Sequence, residues 1–488
     1  MLTVTAVYDD RVPIPPDVTE IIGVDHFSDV LRRRVHLGDM LRETVERAGV
    51  HDFIHLRDDN AARKLHALIS SNNVGGHAFV RLPSCFMPSR PDMLCEVLRK
   101  CRFARETTLL CAVADSDAPA VLTAEDMLGL LEARYPDEIG DFVLTLSRSA
   151  PMMKDYCHFL DLRDRRVFLE FMTLATEARH FNALEAGEGL FTKRSRDRLK
   201  MEREYRFFHV VPETMKRFLV PTCAYYDTGD EAGYSVERLA VPDVAIQWVH
   251  GVFDPQSFER FLNCFFEFID ARAERQVGRE QARRRAHEVA VAKLDSRVEQ
   301  FLTMPQADRV DAILTSCGPH GGIRNMHERV RSLVIDAIAT DDSSTEVVGH
   351  GDPCFSNILF DRRLGLFRLI DPRGARSIDE AWTHPLYDLA KLSHSVLGGY
   401  DFVNNGLFDC VIDAELCARV VLQREPETWS RQQFLERLNE RNVNPAVVRA
   451  YEASLFLSML PFHVDSLQKL LGLSLVCCTI IDDLESLK

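Results

Sequence analysis

The chain predicts an α/β domain with a mostly parallel sheet, followed by an α+β region that ends in a helical C-terminal subdomain. Three observations lead there. Residues 30–114 alternate between helical and strand periods of apolar side chains, residues 189–239 read as short strands around one helix and residues 346–370 as short strands joined by turns, and residues 377–488 keep helical spacing almost throughout. At 488 residues the chain exceeds the roughly 250 to 300 at which a single hydrophobic core stops growing, so two or three domains are expected.

In the front segment, residues 30–48 have the apolar spacing of an amphipathic helix, residues 52–56 that of a strand, and residues 60–70 that of a helix. Residues 77–82 then read as a strand, residues 91–103 as a helix and residues 107–114 as a strand. Helices interleaved with strands cover the faces of a sheet and favour parallel pairing. Residues 165–178 form one more amphipathic helix. Beyond it, residues 189–193 read as a strand carrying Lys193, residues 197–208 as a helix with Glu202 and Glu204, residues 220–226 and 234–239 as strands, and residues 254–285 as a long helix. Gly187 and Gly189 are too few for a phosphate-cradling loop and read as a turn. The helical tail is interrupted around Gly398-Gly399, Asn404-Asn405-Gly406 and Asn442-Val443-Asn444-Pro445, where turn residues cluster.

The most informative stretch is His350-Gly351-Asp352-Pro353-Cys354-Phe355-Ser356-Asn357, followed by Ile370-Asp371-Pro372-Arg373-Gly374. An acid, an amide five residues on and a second acid meet the needs of phosphoryl transfer from a magnesium-bound nucleotide. Asp352, in a loop after the strand Glu346-Val347-Val348, can orient an attacking hydroxyl and accept its proton late. Asn357 can offer a magnesium ion a neutral oxygen without adding charge beside the base. Residues 358–360 and 366–370 read as a hairpin that returns Asp371 to the end where Asn357 stands. Asp371 would there hold the metal that bridges the phosphates. His350 suits a buried hydrogen-bonding support better than the base, because the acid two residues on fits that task. Arg373 fits either a contact to an anionic substrate or phosphate, or an ion pair with a nearby acid.

This segment resembles the catalytic segment of the aminoglycoside phosphotransferase and choline kinase family, relatives of the protein kinases. The form Ile370-Asp371-Pro372-Arg373-Gly374 resembles the branch found in bacterial capsule and surface-polysaccharide clusters. The resemblance implies a bilobal, protein-kinase-like α+β domain. Its small lobe would cover residues 166–245, with the kinase pattern starting near Phe181, and its large lobe residues 246–488, with a helical subdomain around the acceptor. It implies ATP and Mg2+ as cofactors and a phosphate-binding Lys193 held by Glu204, with Glu202 as the alternative partner. An adenine-binding hinge is implied near Glu237-Arg238-Leu239-Ala240, where Glu237 and Leu239 would offer backbone hydrogen bonds that any side chain permits. Pro385-Leu386-Tyr387-Asp388-Leu389-Ala390-Lys391-Leu392 is also similar to the family, and Asp388 is expected to brace the catalytic loop as a structural residue.

Residues 1–165 resemble the nucleotidyltransferase and glycosyltransferase fold, through a helix ending Ala48-Gly49 that leads into a strand at residues 52–56. Two departures bear on activity. The glycine-rich, basic signature of nucleotidyltransferases is missing from residues 1–29, and Ser84-Cys85 stand where an acidic metal ligand is expected after Arg81-Leu82-Pro83. Without that carboxylate, metal-assisted attack lacks an anchor, so a degenerate substrate-presenting or scaffolding domain is expected.

A net charge of -15 and a pI near 5.6 argue against a nucleic-acid binder relying on a basic surface. Arg279, Arg283, Arg284 and Arg285 read as a solvated helix face. No apolar run reaches the roughly 18 residues of a membrane span, residues 470–481 read as a buried C-terminal helix, and residues 1–10 lack a basic start with an apolar core. The 13 cysteines are scattered without paired or zinc-site spacing, which suits reduced thiols and no structural metal. The expected protein is therefore a cytoplasmic, ATP- and magnesium-dependent phosphotransferase acting on a hydroxyl of a small polar molecule. By resemblance the acceptor is a sugar or surface-polysaccharide precursor. Its partners are the nucleotide and the acceptor, and a homo-oligomer is left open, as is ATP against GTP. Two other readings stand beside it: nucleotidyl or glycosyl transfer by the front domain with the kinase-like half assisting, and a nucleotide-binding pseudokinase or scaffold.

Overall fold

A computed structural model describes residues 2–32, 34–71, 76–111, 118–153, 157–173, 182–186 and 189–486. The chain divides into two compact units, Met1–Ala175 and Thr176–Lys488. Phe181 and Gly187, singled out above, lie outside the described residues.

In the first unit, β1 (Thr3–Asp9), not singled out in the sequence, precedes α1 (Leu37–Arg47), β2 (Asp52–Leu56), α2 (Asp59–Ser71), β3 (His77–Pro83) and α3 (Pro91–Cys101), which alternate as their periodicity predicts. They are followed by β4 (Thr108–Leu109), β5 (Ala120–Leu122), α4 (Ala124–Glu132), α5 (Pro136–Ser147) and α6 (Arg165–Thr173). The sheet runs β2–β1–β3–β5–β4. β1 pairs in parallel with β2 and β3, setting Tyr8 opposite His55 and Leu82, while β5 joins β3 and β4 antiparallel. The sheet is therefore mixed. All of β1 after its first residue is buried, as a central strand covered on both faces must be. Val7, Phe79 and Leu122 pack with Leu65 and Ile69 of α2 and Met127 and Leu130 of α4.

At the expected start of the first helix, Leu31–Arg32 instead pairs antiparallel with Val35–His36. Arg34 adopts a left-handed backbone (φ 69°), which a right-handed helix cannot contain, and the Leu37 N–H returns to the Val30 carbonyl at 3.0 Å. The strand expected over residues 107–114 shortens to Thr108–Leu109, and residues 112–114 lie outside the described set, as do residues 174–178 of the helix after residue 165.

In the second unit, β6 (Asn182–Ala186), β7 (Leu190–Ser195), α7 (Arg198–Val210), β8 (Thr222–Asp227) and β9 (Ala232–Glu237) come first. The strands form an antiparallel sheet ordered β6–β7–β9–β8, with α7 laid on it through Met201 against Ala232 and Tyr234. Asp197 caps α7 by accepting the Lys200 N–H at 3.1 Å.

Next come α8 (Val244–Val249), α9 (Pro255–Ala271), β10 (Glu274–Gln276) and α10 (Arg279–His287). A π-helical turn, Glu288–Ala292, runs on into α11 (Lys293–Leu302), and α12 (Ala307–Cys317) and α13 (Ile323–Thr340) follow. The single helix expected over residues 254–285 is thus two helices. The backbone extends at Arg272, and Glu274 to Gln276 pair with β11 (Thr345–Val348), a tertiary hydrogen-bonding demand that overrides the local helical period.

After β11 the chain forms the hairpin β12 (Ile358–Asp361) and β13 (Leu366–Leu369), then β14 (Trp382–Thr383), α14 (Leu386–Val396) and α15 (Tyr400–Asn404). The tail is not helical throughout. β15 (Phe408–Ile412) and β16 (Ala418–Leu422) make an antiparallel hairpin before α16 (Thr428–Glu440), α17 (Pro445–Ser458) and α18 (Leu467–Glu485). In β16, Ala418, Val420 and Leu422 are more buried than Arg419 and Val421, a period-2 pattern embedded in a helical background. One continuous core joins Phe258, Phe261 and Phe265 of α9, Val330 and Val334 of α13, Phe456 of α17 and Ile480 of α18. Among the described residues, no helix is long and apolar enough to cross a membrane.

Candidate active site

The second unit gathers chemistry-bearing residues from β7, α7, α14 and the ends of the hairpin β12–β13. On β7, Lys193 lies opposite Tyr234 of β9 in register. Its ammonium is 2.7 Å from Glu204 Oε2 of α7 and 3.0 Å from Asp371 Oδ1, and Tyr234 donates its hydroxyl to the same Glu204 oxygen at 2.9 Å. Glu202, the other helix acid, pairs with Arg206 instead, at 2.8 Å. Burial works against the Lys193 ammonium, but Asp371 and Glu204 outweigh it and hold its pKa above the usual lysine value. Burial also pushes the Glu204 carboxyl upward in spite of Lys193. The pair is closed to solvent on the Glu204 side, whereas Asp371 is 49% exposed.

Asp371 reaches this point through the hairpin. The Ile370 N–H donates to the Asn357 carbonyl at 3.0 Å, which fixes the exit of β13 beside the entry of β12. The backbone then turns left-handed at Asp371 (φ 54°), a sparsely populated conformation for a residue with a Cβ. Close backbone approach pins the following loop: the Ala375 N–H donates to the Arg203 carbonyl at 3.0 Å, and a Cβ on Gly374 would stand 2.5 Å from Arg203 C. The loop after Asp371 and the helix carrying Glu204 are thus tied together.

Asp352 sits in the loop between β11 and β12. Lys391 of α14 places its ammonium 2.8 Å from Asp352 Oδ1, and the Asn357 Nδ2 donates to the Asp352 carbonyl at 2.9 Å. The surrounding protein opposes ionisation of Asp352, yet Lys391 outweighs it and brings the carboxyl pKa down to about 2. The side chain is 40% exposed, so an ionised carboxylate faces solvent beside a buried ammonium. With its Nδ2 spent on the backbone, Asn357 keeps its amide oxygen for another partner.

His350 is fully buried, edge-on to Phe207 and Phe268. Its Nδ1 accepts the Asp352 N–H at 3.3 Å, and burial lowers its pKa, so it is a neutral support for the loop. Asp388 holds the loop from below: its carboxylate accepts the His350 and Gly351 N–H groups at 3.1 and 2.8 Å and faces Arg272 Nη1 at 3.2 Å. Gly351 is left-handed (φ 84°), and a Cβ there would stand 2.7 Å from Arg373 Cβ. Arg373 therefore lies along the loop that carries Asp352, with its backbone N–H on the His350 carbonyl at 2.9 Å.

Glu237 ends β9 and is exposed, without an ion pair or side-chain hydrogen bond among the described residues, and Leu239 stands two residues beyond, half-buried. The Arg238 N–H between them donates to the Gly189 carbonyl at 3.0 Å. Lys193, Glu204, Asp371, Asn357 and Asp352 are thus linked by contacts, and Glu237 and Leu239 are not part of that chain of contacts. Sequence reasoning did not single out Lys391 as a site residue, nor Arg272, Tyr234 or Lys293. Lys391 lay within a motif already noticed, three residues after Asp388 on one helix, and that spacing is the signal that could have found it.

Among the described residues, no cluster of three or more His, Cys, Asp or Glu side chains forms a metal site. The first unit holds a separate cleft of about 180 Å³ lined by Tyr8, Asp29, Asp39, Arg42, Phe53 and His55. Nearby, Ser84 and Cys85 are each 1% exposed, so no carboxylate fills the place after β3.

The chain matches no protein-family model and no curated protein. Among solved structures, it is similar to the aminoglycoside phosphotransferase APH(4)-Ia at 12% identity, over 63% of this chain and 91% of that one, with a TM-score of 0.36. A thermostable mutant of that enzyme in its apo form matches at 12% identity over 61% of this chain and 89% of that one, with a TM-score of 0.35. A ternary complex of the mutant with AMP-PNP and hygromycin B matches at 13% identity over 64% and 97%, with a TM-score of 0.34.

Proposed function

We propose that residues 176–488 form an ATP- and magnesium-dependent phosphotransferase acting on a hydroxyl of a small polar acceptor. The observation that carries this reading is the linked set Lys193, Glu204, Asp371, Asn357 and Asp352: a cation braced by a buried carboxylate, hard oxygen donors beside it, and an ionised acid across the loop. We take residues up to 245 as the smaller lobe and residues 246–488 as the larger one, with the backbone after Glu237 as the adenine-binding hinge.

Asp371 and Asn357 suit magnesium, which accepts one or two protein oxygens and fills its other positions with phosphate and water. Asp371 is half open, and Asn357 has its amide oxygen uncommitted. When bound there, the ion would offset charge on the nucleotide phosphates. Lys193, oriented by Glu204 and Tyr234, would bind phosphate oxygens that compete with Asp371 for its ammonium. Asp352 would orient the acceptor hydroxyl and take its proton, while Lys391 keeps the carboxylate ionised and in place. His350 and Asp388 would hold the loop and take no proton. We read the first unit as a substrate-presenting or scaffolding domain, because Ser84 and Cys85 occupy the place of the metal-ligand acid. The likeness of Ile370-Asp371-Pro372-Arg373-Gly374 to its branch favours a sugar or surface-polysaccharide precursor as acceptor.

The test is Asp352→Asn. Acceptor-dependent ADP release should fall by about a hundredfold or more, the usual contribution of a positioned base, with nucleotide affinity largely kept. Full turnover in that variant removes Asp352 as the base.

A further inference from the structure

We propose that the acceptor carries an anionic group, a carboxylate or a phosphate on a hydroxylated small molecule, gripped by Lys293 and Arg373 beside Asp352. This rests on the phosphotransferase reading and names the substrate class of that site.

Cations withdrawn from solvent need compensation, and four in this unit have carboxylates. Lys193 faces Glu204 and Asp371, Lys391 faces Asp352, Arg272 faces Asp388, and Arg449 faces Glu452 and Asp483. Lys293, half-buried, and Arg373, exposed, differ from these. The Lys293 ammonium meets only the Tyr387 hydroxyl, at 2.5 Å, and lies 5.2 Å from the centre of the same ring. Among the described residues, no carboxylate stands within 4.0 Å of Lys293 or of Arg373.

The position of these cations gives them a use. Tyr387 precedes the loop brace Asp388 and lies one helical turn before Lys391, so Lys293 reaches the same end of α14 as the partner of Asp352. Arg373 comes from the other side, its stem packed on Gly351 next to Asp352. Lys391 and Lys293 therefore act on the Asp352 carboxylate, with Arg373 packed along the same loop. Their mutual repulsion is felt: after burial, Lys391 and Arg373 lower the Lys293 pKa, and the three cations together lower that of the buried Tyr387 phenol. An anion would relieve that repulsion, whereas a cationic acceptor would meet it in full.

The backbone is also adjusted there. The π turn Glu288–Ala292 stands immediately before Lys293 and changes which side chain the following helix turns inward. Such turns occur often at functional sites.

The experiment uses the full chain with Mg-ATP and charge-matched acceptors: neutral hexoses, amino sugars, uronates and sugar 1-phosphates. Anionic members should react with kcat/KM at least about tenfold above the others, given the strength of hydrogen bonds to charged groups. Lys293→Met should raise the KM of the anionic acceptor by about 10- to 100-fold, with Lys293→Arg recovering most of the loss. Preference for neutral or cationic acceptors, or a Lys293→Met defect that falls on the KM of ATP, overturns the proposal. Calorimetric titration of a sugar 1-phosphate without nucleotide separates the two readings. Binding that disappears in Lys293→Met and Arg373→Met, without transfer to any acceptor, removes the phosphotransferase reading and keeps the anion site. Transfer without anion preference does the reverse, and failure of every anionic member to bind or react ends the proposal.

Discussion

Asp388 shows how one buried side chain can set a loop's shape. Its oxygens take the N–H groups of His350 and Gly351 while its charge balances Arg272, which is 9% exposed and also donates to the Pro385 carbonyl at 3.2 Å. Asp388→Asn keeps the size and removes the charge, leaving a buried guanidinium without a counterion. Breaking a buried pair in this way costs about 3 to 5 kcal/mol, so the variant should melt clearly lower and lose activity with it. An unchanged melting curve would remove Asp388 from the role of brace. The same logic separates Glu204 from Glu202: the first is 3% exposed and holds Lys193, and the second is a surface partner of Arg206. In the sequence Glu204 is favoured over Glu202 only by the apolar pair Phe207-Phe208 that follows it; burial separates the two clearly.

Secondary-structure elements carry a second lesson, in the short helix α15 and the cap of α8. Asp401 of α15 is 1% exposed, and burial raises its carboxyl pKa to about 7. Asp243 accepts the Ile246 N–H at 2.7 Å as the α8 cap, and burial, with Asp401 adding to it, raises its pKa to about 7 as well. A carboxyl whose folded pKa is raised binds its proton more tightly when folded. Its stabilising contribution is complete below the unfolded value of about 4 and is lost as pH rises through the folded value. The protein should therefore lose stability between about pH 4 and pH 8 through these two acids. Asp401→Asn should narrow the difference in melting temperature between pH 5 and pH 8, measured by circular dichroism. A pH dependence identical to that of the unsubstituted chain would show that Asp401 ionises without cost.

The division into Met1–Ala175 and Thr176–Lys488 gives the candidate site to one unit. Every residue linking Lys193 to Asp352 comes from the second. Mg-ATP should accordingly slow amide hydrogen exchange around residues 189–239 and 350–373 and leave residues 2–171 unchanged, because a ligand protects what it binds and orders. Protection centred on the cleft at Tyr8, Phe53 and His55 would instead move nucleotide binding to the first unit.

Local information carried far in this chain where a task is completed within a short stretch. Alternation alone bounds the strand at Asp52–Leu56, and the spacing of Asp352, Asn357 and Asp371 anticipates a hairpin whose ends meet. A hairpin pairs neighbours in sequence, so its geometry is written in its own turn and period. Folding alone decided the rest. Lys293 meets Tyr387 across 94 positions and Lys193 meets Asp371 across 178, and the helix expected over residues 254–285 yields to a strand paired with β11. Which charges become neighbours, and which are left without a carboxylate, depends on packing between distant segments, because burial fixes the cost of a charge and only the assembled core fixes burial.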